Sequence, residues 1–263
     1  MSLQLNPLLE MSKITFLASP APLAQEALSD CIERYGQTSE PNADTIIALG
    51  GDGLMLQSLH RLMGSNVPIY GMNRGSVGFL MNEYSIESIH ERLAKAERSV
   101  IHPLIMRARS TDGTLFEARA INEVSLIRKS FQTAKLEITI NGRVRMAELT
   151  ADGILLATPA GSTAYNLSAN GPILPLNARL LALTPLSPFR PRRWRGALIS
   201  ERSKVLIKVL DWERRPVSAA ADHLEVPSIS EVEIEMDRSI SLIMLHDPGH
   251  SLEERILIEQ FGS

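Results

Sequence analysis

The spacing of apolar residues changes once along the chain, near residue 102, and this change constrains the fold more than any other feature. Before it, apolar patterns predict strands and helices in alternation, at residues 13–18, 22–34, 44–49, 54–63 and 67–71. Alternation of this kind predicts βαβ units and a parallel sheet with flanking helices. We therefore predict an α/β domain over residues 1–102.

After residue 102 the pattern is one of short strands. The runs at residues 136–140 and 143–146 flank Asn141-Gly142, a pair that supplies the positive φ angles of a type I′ hairpin turn. Further strands are predicted near residues 197–200, 204–210, 216–221, 229–236 and 239–245. We predict an all-β domain over residues 103–245.

The end of the chain predicts one more helix, within residues 246–263. It starts with the capping box Ser251-Leu-Glu-Glu254, in which the first and last side chains bond to each other's backbone N–H groups. A helix suits the α/β domain better than the β domain, so we expect the chain to return to its first domain here.

Composition narrows the possible classes of protein. The chain has 263 residues, 44% of them hydrophobic, which is ordinary for one or two globular domains. A formal net charge of −3 does not indicate a nucleic acid or an anionic membrane as a partner. No apolar run reaches the roughly 18 residues of a membrane span, and the first residues do not resemble a secretory signal. Cys31, the only cysteine, is predicted to be a small core residue. It allows no internal disulfide, which does not fix the redox compartment but fits a reducing cytosol. We expect a cytoplasmic protein.

The first chemical motif is Gly50-Gly51-Asp52-Gly53, here called the glycine turn, which lies between a predicted buried strand and a helix. Glycines let the backbone turn sharply and approach a ligand, and successive N–H groups at a helix start attract anions. The carboxylate of Asp52 adds a group that accepts a hydroxyl proton, as phosphoryl transfer requires. The alternative is a structural turn. The glycine turn is not a Walker A loop, because no Gly-Lys-Ser/Thr follows it.

Two further motifs lie in the second half. Asn122-Glu123 follows a predicted strand and, taken alone, is typical of a solvated strand end. Residues 158–172, here called the polar segment, are dense in hydroxyls, amides and small residues, directly after the apolar run 153–157. Backbone and short polar groups of this kind are what a pocket uses to bind a purine. A surface loop is the alternative for both motifs.

Taken together, these residues resemble NAD kinases. The glycine turn also occurs in other kinases, but Asn122-Glu123 followed by the start of the polar segment, Thr-Pro-x-Gly-Ser-Thr-Ala-Tyr-Asn, resembles NAD kinases specifically. The resemblance covers most of the chain from about Lys13, including the stretch from Asn73 to Leu80. It implies an N-terminal α/β domain, a C-terminal β domain, and a site in the crevice between them.

Residue by residue, the resemblance implies that Asp52 accepts the proton and that residues 50–53 face the phosphates. It implies that Asn122 and Glu123 contact the adenine and ribose of NAD, and that Asp152 reaches the nicotinamide end. The other residues implied for the nucleotide pocket are Ala160, Thr163, Ala164, Tyr165, Asn166, Leu167, Ser168 and His223. It also implies ATP with Mg²⁺ or another divalent cation, without identifying protein ligands for the metal, and a homodimer or homotetramer.

Two rival functions stay open. The glycine turn also occurs in diacylglycerol-kinase-like and 6-phosphofructokinase-like enzymes, so a lipid or sugar kinase is one alternative. The polar segment argues against a lipid pocket, which apolar side chains would line. A non-catalytic dinucleotide-binding regulator is the other, although binding an anion does not call for a carboxylate at position 52.

Two features do not follow from the resemblance. Leu54 stands where the family commonly has a small hydroxyl residue. The stretch of residues 189–196, here called the Arg loop, contains Arg190, Arg192, Arg193 and Arg195. A solvated or subunit-facing loop is the simplest interpretation, phosphate binding is the next, and nucleic-acid binding is disfavoured by the overall charge.

Overall fold

The computed structural model describes residues 13–75, 80–192 and 194–249. The chain divides into two compact units. The first unit takes the chain up to Ile101 and again from Ser241, and the second runs from His102 to Ile240. The predicted helix within residues 246–263 lies outside the described residues, except that residues 246–249 finish a strand and a turn.

A five-stranded sheet forms the centre of the first unit. In spatial order its strands are β1 (Ile14–Ala18), β2 (Thr45–Gly50), β3 (Ile69–Asn73), β17 (Leu242–His246) and β4 (Glu97–Ile101). The first four are parallel, and β4 is antiparallel to β17. The described helices of this unit are α1 (Pro22–Tyr35), α2 (Asp52–Arg61), α3 (Ile89–Lys95) and a 3₁₀ turn (Glu40–Asn42). The predicted α/β fold with a parallel sheet is confirmed.

Burial explains why these segments form. All six residues of β2 are buried, as the apolar run Ile46 to Leu49 predicts for a central parallel strand. Helix α1 begins at Pro22, whose fixed φ suits the first helical position. It packs Ala24, Ala27 and Cys31 into the core, where burial raises the pKa of the Cys31 thiol to about 11. Cys31 is therefore a core residue, as predicted.

The last described strand corrects one assignment. The strand predicted near residues 239–245 forms as β17, but it lies in the first unit and not among the strands of the β domain. It pairs with β3 and β4, and all five of its residues are buried. A central strand needs apolar residues on both faces, and the run Leu-Ile-Met-Leu meets that need.

Two six-stranded sheets form the second unit, and every strand pair in them is antiparallel. One sheet has the order β6 (Leu115–Ala120), β5 (Leu104–Ser110), β16 (Ile229–Met236), β13 (Val205–Leu210), β8 (Ala134–Ile140) and β9 (Arg143–Ala151). The other has the order β12 (Ala197–Ser200), β11 (Leu180–Leu186), β10 (Gly153–Ala157), β7 (Glu123–Arg128), β14 (Val217–Ala221) and β15 (Leu224–Val226). The predicted antiparallel β domain is confirmed.

One apolar core is shared by both sheets of this unit. It includes Met106 and Ile207 from the first sheet and Leu126 and Leu156 from the second. The predicted hairpin joins β8 to β9, with positive φ at both Asn141 and Gly142. Between β10 and β11 the polar segment adds a 3₁₀ turn (Ala160–Thr163) and one short helix, α4 (Tyr165–Ser168).

Candidate active site

The glycine turn joins β2 to α2, with Gly50 ending the strand and Asp52 starting the helix. Gly51 has φ −119° and ψ −173°, an extended conformation that any residue adopts. A Cβ built on Gly51 or Gly53 would meet no heavy atom within 4 Å among the described residues. Neither packing by those residues nor a positive φ therefore explains why these two positions lack a side chain. A ligand that approaches the backbone closely would explain why both positions are glycine.

Asp52 is held in place beside the turn. Its Oδ1 accepts a 2.9 Å hydrogen bond from the Leu80 N–H. The chain after β3 also lies against the turn, because the Arg74 N–H donates to the Gly50 carbonyl at 2.8 Å. The carboxylate thus occupies the first turn of a ten-residue helix, next to backbone that is open on one side.

Leu54, where the sequence departs from the family pattern, packs within the turn. Its side chain would lie 2.9 Å from a Cβ on Gly50. Gly50 is therefore needed to make room for Leu54, unlike Gly51 and Gly53. The presence of Leu54 in place of a small hydroxyl residue therefore affects packing at the end of β2.

The Asn122-Glu123 pair of the second unit is organised by Asp222. One carboxylate oxygen accepts the N–H of Ile121 at 2.7 Å, and the other accepts those of Asn122 and Glu123 at 3.0 and 3.2 Å. The Asp222 N–H in turn donates to the Glu123 carbonyl at 3.1 Å. The resemblance to NAD kinases implied that Asp222-His223 lies near the ligand, but not that the Asp222 carboxylate binds this backbone. His223 itself is exposed in the turn between β14 and β15.

The polar segment packs directly on this pair. The Thr158 N–H donates to the Asn122 carbonyl at 2.9 Å, and the Thr158 Oγ1 donates to the Ile121 carbonyl at 2.7 Å. A Cβ on Gly161 would lie 2.1 Å from the Asn122 carbonyl oxygen, so only glycine fits there. The structure therefore brings together two motifs that are far apart in the sequence.

Glu123 carries an unused acceptor. Its Oε2 is buried and has no hydrogen-bond partner within the part of the chain that the structure describes. Burial first, and the nearby Asp222 carboxylate second, raise the pKa of Glu123 to about 7, while a hydrogen bond from the Tyr165 N–H opposes the rise. A buried acceptor without a partner is costly, and a ligand hydroxyl would satisfy it.

Asn166, which is predicted to contact the nucleotide, bonds within the polar segment. It is fully buried, and its Nδ2 donates to the Ser162 and Pro172 carbonyls at 3.1 and 2.9 Å. Its Oδ1 accepts the Thr184 hydroxyl at 2.7 Å. Both amide hydrogens bond to carbonyls of the polar segment and so help to fix its shape. A contact between Asn166 and the nucleotide stays a prediction.

A cavity of ≈ 1310 Å³ lies in the second unit, and Asp152, Tyr165 and Ser168 line it. Burial, followed by the Glu123 and Asp152 carboxylates, raises the pKa of Tyr165, so these three residues are electrostatic neighbours. The Asp152 Oδ1 accepts a 2.6 Å hydrogen bond from the Arg128 Nε.

The remaining predicted residues lie in the helical turns of the polar segment. Ala160 is buried in the 3₁₀ turn, while Thr163, Ala164 and Leu167 are half-buried. None of these four lines the cavity.

No cluster of three or more His, Cys, Asp or Glu side chains suitable for a metal ion occurs among the residues described. Mg²⁺ at kinase sites is usually held by one or two carboxylates together with substrate phosphates and waters. The Asp52 carboxylate beside the open turn fits that mode of binding.

Family comparisons cover almost all of the chain. Residues 6–99 match the model of the ATP-NAD kinase N-terminal domain, and residues 121–247 match that of the ATP-NAD kinase C-terminal domain. This chain belongs to the ATP-NAD kinase family. It is 58% identical to the NAD kinase of Caulobacter vibrioides over 253 residues, which cover 96% of this chain and 97% of that protein. It is 55% identical to the NAD kinase of Rhizobium meliloti, covering 97% and 99%.

Solved structures of this family share the fold. Yeast NADH kinase, solved with NADH, matches with a TM-score of 0.82 at 20% identity, over 96% of this chain and 88% of that one. An NAD kinase from Archaeoglobus fulgidus, solved with ATP, matches with a TM-score of 0.74 at 23% identity, over 94% and 98%. The predicted position of the site between the two domains stays a prediction. Within the described residues, no helix is long and apolar enough to cross a membrane.

Proposed function

We propose that this protein transfers the γ-phosphoryl group of ATP to the 2′-hydroxyl on the adenosine side of NAD, which gives NADP and ADP. Family membership and the close NAD kinase relatives support a phosphotransferase acting on NAD. The observation that carries the chemistry is the position of Asp52, a fixed carboxylate at the start of α2 beside two glycines with open space.

In the proposed reaction, Asp52 is the catalytic residue. The 2′-oxygen attacks the γ-phosphorus, the bond from that phosphorus to the bridging oxygen breaks, and ADP leaves with the electron pair. The Asp52 carboxylate orients the hydroxyl and takes its proton. Backbone N–H groups at the start of α2 favour the phosphate oxygens, since they carry partial positive charge. Leu80 supports the reaction by holding Asp52 through its N–H.

We propose that the acceptor is bound by the Asn122-Glu123 pair and the polar segment. The unused Oε2 of Glu123 is suited to accept a ribose hydroxyl. Asp222 keeps the pair in position through its hydrogen bonds to their backbone. Tyr165, Ser168 and Asp152 lie along the cavity, where the rest of the dinucleotide would extend.

A divalent cation is expected to accompany ATP. When bound, it would neutralise the charge that develops on the β- and γ-phosphate oxygens. We also propose a cytoplasmic location and a homodimer or homotetramer, in which subunits share sites as the family resemblance implies.

The decisive experiment measures NADP formed from NAD and Mg-ATP by the purified protein. NADP formation that depends on both substrates and on the cation would support the proposal. Parallel reactions should offer diacylglycerol or fructose 6-phosphate in place of NAD. Transfer to either of those acceptors but not to NAD would overturn it in favour of a lipid or sugar kinase. Tight NAD binding with no NADP at all would indicate a non-catalytic regulator.

A further inference from the structure

The Arg loop borders the same cavity as the proposed dinucleotide site. Arg192, Trp194 and Arg195 line the cavity together with Asp152 and Tyr165. At ≈ 1310 Å³ the cavity exceeds the roughly 300–1,000 Å³ of common small-molecule sites, so it has room for an extended ligand. This location distinguishes the loop from a stretch that is merely solvated.

Both ends of the loop are fixed to the β domain. The Phe189 N–H donates to the Thr150 carbonyl, and the Thr150 N–H donates to the Arg190 carbonyl, at 2.8 and 2.9 Å. Trp194 is half-buried against the core shared by the two sheets. Gly196 has φ +107° and lies so close to the Leu183 carbonyl that a Cβ there would be 2.3 Å from it. These contacts fix described residues on both sides of the two arginines before any ligand arrives, which lowers the entropy cost of binding.

The charges of the cavity do not balance. Arg128 and Asp152 pair with each other, with 2.6 Å between Nε and Oδ1. Arg192 and Arg195 form no ion pair with any described residue. The Arg192 guanidinium lies 5.9 Å from the centre of the Phe189 ring, which orients it without neutralising it. Among the described residues, the cavity thus presents two uncompensated positive charges, in a chain whose net charge is negative.

We infer that Arg192 and Arg195 form a subsite for the diphosphate that links the two nucleosides of the acceptor, and that this subsite selects a dinucleotide over a bare nucleoside. The inference rests on the proposed function, because it assigns a role within the same site. A diphosphate carries two negative charges, matching the two arginines, and guanidinium groups bind phosphate oxygens through paired N–H donors. The triphosphate of ATP offers the same chemistry, so the test must separate the two sources.

The test compares the binding of NAD, ADP-ribose and adenosine by calorimetry, in the wild type and in Arg192→Gln/Arg195→Gln. ADP-ribose keeps the diphosphate but lacks nicotinamide, and adenosine lacks both. We expect the double variant to bind NAD and ADP-ribose about tenfold more weakly, with adenosine affinity changed less than about twofold. In kinetics, KM for NAD should rise while KM for ATP stays the same.

Two control variants make the result specific. Arg143→Gln/Arg145→Gln removes the same charge from exposed positions of β9 that do not line the cavity, and it should bind NAD like the wild type. Arg192→Lys/Arg195→Lys keeps the charge and should retain most of the affinity for NAD. A variant that merely unfolds the loop would weaken adenosine as well.

Several outcomes would overturn the inference. The first is an unchanged NAD affinity in the Arg192→Gln/Arg195→Gln variant, and the second is an equal loss of affinity for all three ligands. The third is an equal loss of NAD affinity in the Arg143→Gln/Arg145→Gln control. The fourth is a rise in KM for ATP alone. Failure of the proposed function looks different: the wild type would bind NAD but form no NADP, and the binding comparison would still decide the role of the arginines. Normal NADP formation with unchanged binding in the glutamine variant would refute the subsite alone.

Discussion

The glycine turn of the α/β unit and the polar segment of the β unit both contain glycines, but for different reasons. At Gly51 and Gly53 a side chain would meet no described atom within 4 Å. At Gly161 and Gly171 a Cβ would lie 2.1 Å from the Asn122 carbonyl oxygen and the Asn166 Oδ1 respectively. The described residues leave the space beside the first pair unfilled, and the second pair is required for the polar segment to pack.

This difference separates two kinds of evidence for function. A glycine that packing requires says little about a ligand, because the sequence would have it even if no ligand were bound. A glycine that packing does not require needs another explanation, such as a ligand that approaches the backbone. The glycine turn is thus stronger evidence of a binding site than the polar segment. In that segment the functional evidence is the buried Oε2 of Glu123 and the cavity beside Tyr165.

Replacing Asp52 with asparagine gives the largest expected effect. Asp52→Asn keeps the shape of the side chain but cannot take the proton, so kcat should fall about 10³-fold. NAD affinity, measured by calorimetry, should stay within about twofold of the wild type. A variant that keeps the wild-type kcat would show that Asp52 is not the base, and would remove the glycine turn from the chemistry.

Gly161→Ala tests the packing half of the comparison. The added methyl group would press on the Asn122 backbone, and we expect a loss of about 3 kcal/mol in the free energy of unfolding. Urea denaturation followed by circular dichroism measures this loss. Unchanged stability would mean that the polar segment is not held as tightly as its contacts indicate.

Glu123→Gln tests the electrostatic part of the β unit. The pKa of Glu123 is raised from 4.5 to about 7, so its carboxyl favours the folded state below pH 4.5, and that contribution is lost as the pH rises through 7. Glutamine does not titrate. The free energy of unfolding of the variant, relative to that of the wild type, should therefore rise by on the order of 2 kcal/mol between pH 5 and pH 8.5, because the wild type loses its contribution from Glu123. A stability difference that does not vary with pH would contradict the raised pKa.

Gly53→Ala gives the smallest expected change in stability, and of the opposite sign to Gly161→Ala. Position 53 is exposed and lies in the first turn of α2, where alanine favours the helix by about 0.5–1 kcal/mol. KM for ATP should nevertheless rise several-fold, because the methyl group enters the space left for phosphates. If the variant is more stable and kinetically unchanged, the open space at the turn has no role in binding.

Local patterns in the sequence predicted the local structure well. The hairpin at Asn141-Gly142 formed because that pair fixes a turn by its own backbone preferences. Residues 44–49 predicted a buried strand because the run Ile46 to Leu49 within them is apolar throughout. Both are properties of a few adjacent residues, which a single sequence contains in full.

What the sequence did not predict depends on residues that are distant in the chain. Asp222 organises the Asn122-Glu123 pair from about 100 positions away, and no local pattern signals a carboxylate that accepts backbone N–H groups. The inward hydrogen bonds of the Asn166 side chain were also not visible in the sequence, because a polar side chain in a loop looks the same whether it faces a pocket or bonds inward. For β17, the apolar run predicted a strand but not which sheet it joins.

The position of β17 has a consequence for biosynthesis. It lies between β3 and β4 in the sheet, yet the whole second unit separates it from β4 in the chain. While the protein is being translated, the edge of β3 at Ile69 and Tyr70 stays without its partner strand until the chain through β17 has left the ribosome. The contiguous second unit is able to close before that. A nascent chain that stalls near residue 240 would therefore expose an apolar strand edge, which favours aggregation.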